Sequence, residues 1–164
     1  MLFRGLAVAT AVLALAACHP KPVLPNQSAA AEAFMAKNAK EPGVHTLPSG
    51  LQFKVVRSGP ATGLRPHLQD EVKIHYEGKL LDGTVFDSSY ERGAPAAMPL
   101  KNLILSWQEA LQLMRPGDEW ILYVPPKLGY GDEGSPPTIP PGAALIFRVE
   151  LIDFLAAPGT TGAG

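Results

Sequence analysis

The chain is short of most features that would declare a function. Cysteine occurs once in 164 residues, so no disulfide can form within one chain. Neither sign of charge dominates: 14 Lys and Arg against 15 Asp and Glu leave a net charge of −1, which removes the electrostatic case for a nucleic-acid partner. No G-x-S-x-G nucleophile elbow occurs. The histidines, His19, His45, His67 and His75, have no helix-spaced or carboxylate-supported grouping, so neither a metal site nor a cofactor is expected. The apolar run Leu6 to Leu15 is too short to span a bilayer. Proline and glycine, by contrast, are plentiful. The chain has 17 Pro and 16 Gly, against a usual proline share of about 5%, which points to a loop-rich, β-heavy fold with little helix.

Arg4 followed by the Leu6–Leu15 run reads as a secretory signal. The run ends Leu15-Ala16-Ala17-Cys18, which resembles the bacterial lipobox. That resemblance implies cleavage after residue 17, lipidation of Cys18 and stable membrane attachment, since two or more acyl chains hold a protein at a bilayer. His19 rather than Asp at the next position resembles Gram-negative lipoproteins directed to the outer membrane, facing the periplasm. Residues 18–45 are expected to form a lipidated tether with one short helix. Residues 19–30 contain three prolines and little core-forming bulk, which favours an extended stretch. Ala29 to Lys40 is rich in helix formers, and Pro42-Gly43 stops it.

The folded domain is expected over 46–155, with 156–164 a disordered tail. Leu51, Phe53 and Val55 alternate with polar residues, as do Val72, Ile74 and Tyr76, then Trp120, Leu122 and Val124, then Leu145, Phe147, Val149 and Leu151. Each set reads as a half-buried strand. Asp82-Gly83 is a hairpin signal that returns the chain through Val85-Phe86-Asp87. Trp107, Ala110, Leu111 and Met114 lie on one helical face, with Ser106 and Glu109 at capping-box spacing. One short helix and about five strands make an antiparallel sheet with one covered face, class α+β.

The segment Gly129-Tyr130-Gly131-Asp132-Glu133-Gly134 reads as G-x-G-x-x-G, but Ser135-Pro136-Pro137 follows. A dinucleotide site needs a helix opening there, and paired prolines cannot continue one. What remains is aromatic: Tyr76, Phe86, Trp107, Tyr130 and Phe147. On composition these could be plain core. Asp87, however, directly follows Phe86, and a carboxylate beside a core aromatic requires a partner, for which Tyr76 on a neighbouring strand is the candidate.

Four motifs taken in order, Val72-Lys73-Ile74-His75-Tyr76-Glu77-Gly78, Leu81 through Ser89, Leu128-Gly129-Tyr130-Gly131 and Ile139-Pro140-Pro141, resemble the FKBP-type peptidyl-prolyl cis–trans isomerases. The lead-in Thr46 to Gln52 resembles the infectivity-potentiator branch of that family. The resemblance implies a strongly curved sheet wrapped around one short helix. It also implies a proline pocket with Tyr76, Phe86, Asp87 and Tyr130 as catalytic residues. Trp107 would be its floor; Ile104, Phe147, Met98 and Leu103 would bind substrate, Arg92 would hold Asp87, and Ile139 would reach in from the proline-rich loop. Tyr130 hydroxyl and the Ile104 N–H would bind carbonyls. The substrates implied are proline-containing unfolded exported chains, with macrolides as possible inhibitors. A non-catalytic, membrane-tethered chaperone or peptide-binding module is the alternative. A monomer is expected, because family members that dimerise use a long N-terminal helical region, for which residues 19–45 are too short. Departures at Ala96-Ala97-Met98, Ser135 and Thr138 bear on macrolide affinity and substrate preference.

Overall fold

The computed structural model describes residues 24–159; the signal segment, Cys18, the first part of the tether and residues 160–164 lie outside the described residues. In chain order the elements are α1 (Ser28–Asn38), β1 (Val44–Thr46), β2 (Gln52–Arg57), β3 (Glu71–Lys79), β4 (Val85–Ser88), β5 (Ala96–Pro99), α2 (Leu105–Leu111), β6 (Glu119–Val124) and β7 (Leu145–Leu155). The alternating segments became strands whose apolar members face one way. Val72, Ile74 and Tyr76 of β3 and Leu145, Phe147, Val149 and Leu151 of β7 are buried. Burying one face of each strand fixes its register, since a one-residue slip would turn that whole set to water.

All strand pairs are antiparallel, in the order β1-β2-β6-β7-β3-β4, with β5 also on β3. Among the described residues the curved sheet therefore has seven strands, not about five. The two unforeseen strands are β1 and β5, of 3 and 4 residues, too short for an alternation to register. β5 has a consequence for the site. It pairs with Glu71 to Ile74 of β3, while β4 pairs on the same edge with Glu77 to Lys79. The edge opposite β3 is thus split, and residues 89–95 leave the sheet between the two halves.

α2 buries Trp107, Ala110 and Leu111 in the core cluster with Val72, Ile74, Leu122 and Val149. The capping box is not what starts it. The N-cap is Ile104, in extended conformation and without a side-chain cap, and Ser106 lies inside the first turn, buried with its Oγ unpartnered. Two contacts explain the earlier start. Gln108 folds its Nε2 back onto the Leu103 carbonyl at 2.7 Å, and Glu109 is drawn away as the acceptor for Ser49 Oγ at 2.6 Å. Met114 falls past the helix end but is fully buried, as its place in the apolar pattern suggested.

α1 is packed onto the sheet. Asn38 Nδ2 donates to Gln52 Oε1 at 2.8 Å, and Gln52 Nε2 donates to the Met35 carbonyl at 2.9 Å. Phe34 meets Tyr123 with centroids 6.0 Å apart, and the Gln27 N–H donates to the Pro141 carbonyl at 2.8 Å. At the other end Ala157 N–H donates to buried Asp70 at 2.9 Å, so the chain is held beyond Ala156, where the tail was expected to begin. Replacing Asn38 by Ala leaves the Gln52 amide oxygen without its buried donor, and a loss of about 1–3 kcal/mol is expected. Chemical denaturation of N38A measures it.

Candidate active site

The split edge, α2 and the loop after β6 enclose a cleft of about 240 Å³. β3 supplies Tyr76, β4 supplies Phe86 and Asp87, β7 supplies Phe147, and α2 with its N-cap supplies Trp107 and Ile104. Met98, Leu103 and Tyr130 complete the expected lining. Asn102 also lines it; sequence reasoning missed this residue because a polar side chain in a short turn carries no periodicity. Ile139 is placed elsewhere. It is 4% exposed, lies in the hydrophobic core cluster and pairs with Ser135 across a small hairpin, and it does not line the cleft. The proline-rich loop reaches the cleft through Tyr130 instead.

The rings meet edge to face. Tyr76 lies 4.9 Å from Trp107 at 74°, Trp107 lies 5.1 Å from Phe147 at 78°, and Phe147 lies 5.5 Å from Phe86 at 89°. This arrangement puts the positive edge of one ring against the negative face of the next and holds the walls upright without filling the centre. Gly78 makes it possible. A Cβ there would lie 2.5 Å from Phe86 Cζ and 2.7 Å from Phe147 Cε1, so the two rings occupy the space that any other residue's side chain would need.

One charged group faces this apolar cleft. Tyr76 hydroxyl donates to Asp87 Oδ2 at 2.5 Å and accepts from Arg92 Nη2 at 2.8 Å, while Arg92 Nη1 bonds Asp87 Oδ1. Both Asp87 oxygens are therefore engaged. Burial raises the Asp87 pKa, but the hydrogen bonds from Tyr76 and Arg92 outweigh it and leave the carboxyl below its usual 3.8. Burial and the bond to Asp87 push Tyr76 above 10.0, and burial followed by the Asp87 charge does the same to Tyr130. Tyr76 and Tyr130 stay neutral while Asp87 is charged. Tyr130 is 39% exposed, and no protein acceptor for its hydroxyl occurs among the described residues, nor one for the Ile104 N–H. Two donors thus stand free at the rim.

An aromatic box, one fixed carboxylate and two donors without a protein acceptor thus come together in one cleft. Comparison with known proteins makes the family specific. Residues 63–152 match the family described as FKBP-type peptidyl-prolyl cis-trans isomerase, and residues 21–55 match the domain amino terminal to it. The chain belongs to this FKBP-type family. It is 56% identical over 120 residues to the peptidyl-prolyl cis-trans isomerase Mip of Coxiella burnetii, covering 73% of this chain and 51% of that protein. It is 47% identical to the FKBP-type 22 kDa peptidyl-prolyl cis-trans isomerase of Escherichia coli, covering 79% of this chain and 63% of that one. The chain therefore spans only part of the length of these relatives. Among solved structures, FkpA from Escherichia coli superposes with a TM-score of 0.74 at 42% identity, covering 79% of this chain and 60% of that chain.

Gly78→Ala must displace Phe86 or Phe147, and overpacking of this kind costs about 1–3 kcal/mol. The expected outcome is a folded protein with a distorted cleft, seen as lowered thermal stability together with altered near-UV circular dichroism.

Proposed function

We propose that this chain catalyses cis–trans isomerisation of X–Pro bonds in exported polypeptides. The observation that carries the reading is the aromatic cleft with a single ionised carboxylate beside Tyr76. The barrier to be lowered, about 18–20 kcal/mol, comes from amide resonance, and no covalent or proton-transfer step is needed. The planar resonance form is more polar than the twisted amide. A cleft walled by Phe86, Trp107 and Phe147 solvates the planar form poorly and so favours the twisted state, which is differential stabilisation of the transition state. Tyr130 hydroxyl and the Ile104 N–H bind the flanking carbonyls and hold the chain while the ring turns. Tyr76 and Asp87 form the polar wall, with Arg92 bonded to both.

Every residue in this account belongs to one chain, so a monomer suffices. The protein acts at the cell envelope of a Gram-negative bacterium, held through lipid on Cys18, as the Leu15-Ala16-Ala17-Cys18 sequence supports. One homologue, from Legionella longbeachae, is named an outer membrane protein, which agrees with that placement.

A protease-free assay on a peptide containing Leu-Pro or Phe-Pro tests the activity. Wild type should accelerate conversion, and Phe86→Ala or Asp87→Ala should lower kcat/KM by about ten- to a hundredfold. No acceleration by wild type would sink the reading. The pH dependence follows from the shifts. Asp87 sits below 3.8 and Tyr76 and Tyr130 sit above 10.0, so none of these three changes charge between about pH 5 and about pH 9, and a flat kcat/KM is expected there. Asp87 has a lowered folded value, so its stabilising contribution is present above 3.8 and disappears as pH falls through that folded value.

A further inference from the structure

β3 lacks a strand partner at one point on its outer edge. β5 serves Glu71 to Ile74 and β4 serves Glu77 to Lys79, and Tyr76 falls in the gap. Both of its backbone polar groups are nevertheless satisfied, and by one residue. Tyr76 N–H donates to Ser89 Oγ at 2.7 Å, and Ser89 N–H donates to the Tyr76 carbonyl at 2.9 Å. Ser89 Oγ also lies 3.2 Å from that carbonyl and 2.8 Å from His75 Nδ1. A hydroxyl has one proton and two lone pairs, so these contacts use its full capacity. Ser89 has no exposed surface, so bulk water cannot replace it.

We propose that Ser89 is the positioning residue of the site, closing the gap in the ladder with its own side chain and so fixing Tyr76 while the chain turns out of the sheet. Its place in sequence makes the effect wider than one bond. Asp87 lies two residues before it and Arg92 three residues after. The pivot that holds the Tyr76 backbone also sets where the carboxylate ends and where the guanidinium returns to meet it. A serine that only filled a bulge would leave the state of Asp87 independent of its hydroxyl. Here the hydroxyl and the carboxylate are coupled through Tyr76, whose bond to Asp87 is one of those that hold that carboxyl down. The consequence for rate rests on the isomerase reading above; the positioning itself does not.

The test uses the full chain with Ser89→Ala and Ser89→Thr, and reads kcat and KM separately together with the Asp87 carboxyl titration by NMR. Ser89→Ala should lower kcat about tenfold through misplacement of Tyr76, change KM little, and move the Asp87 titration upward. Ser89→Thr, which keeps the hydroxyl, should restore most of both. An Asp87 titration and kcat unchanged in Ser89→Ala would overturn the proposal. Should Ser89→Ala fail to fold, hydrogen exchange in the wild type decides. A Tyr76 amide protected like its β3 neighbours supports the proposal, and one exchanging as fast as residues 89–95 overturns it. A wild type without isomerase activity would remove the functional reading alone, and the Asp87 titration would still judge Ser89.

Discussion

The site depends on keeping one carboxylate charged at the edge of an apolar cleft. Even the partial withdrawal of a carboxylate from water, such as that of the 42%-exposed Asp87 side chain, costs less when its oxygens are hydrogen-bonded. Asp87 meets that requirement with Tyr76 on one oxygen and Arg92 on the other. Tyr76 is itself bound on both sides, since its hydroxyl accepts from Arg92 while donating to Asp87. The three groups stabilise one another, and two of them, Tyr76 and Asp87, line the cleft. Making all three bonds at once requires the fold to hold three residues from two strands and a loop in fixed relation.

The split edge of the sheet supplies that relation. An unbroken strand opposite β3 would carry Asp87 and Arg92 along the sheet, five residues apart in an extended chain and far from each other. The excursion of residues 89–95 brings the guanidinium back. Gly78 serves the same geometry from the other side, letting Phe86 and Phe147 lie against the β3 backbone where a Cβ would collide with both. The aromatic walls and the polar wall therefore share one strand, and a shift of β3 would disturb both at once.

Much of this was legible in the sequence, for identifiable reasons. The long strands announced themselves because one face of each is buried, and the need of Asp87 for a partner followed from its position after Phe86. The resemblance to the family lies in the order of its motifs. Other features left no signal. β1 and β5 are too short to alternate. α2 starts earlier than the Ser106–Glu109 spacing predicts, because a local bond from Gln108 and a tertiary one from Ser49 to Glu109 decide the outcome. Ile139 reads as a loop residue available to a pocket, yet the Ser135 hairpin turns it into the core. The docking of α1 through Asn38 and Gln52 is a buried polar contact across 14 residues, and no periodicity encodes that.

The proposed activity requires the cleft to lower the barrier to prolyl rotation by its shape and low polarity, with Asp87 ionised throughout. Two-dimensional exchange NMR on a Phe-Pro peptide with catalytic amounts of the full-length protein tests it most directly. Cross-peaks between the cis and trans proline signals should appear, at a rate that is unchanged from about pH 5 to about pH 9. Absence of such cross-peaks, or a rate that follows the titration of a group in that range, would contradict it.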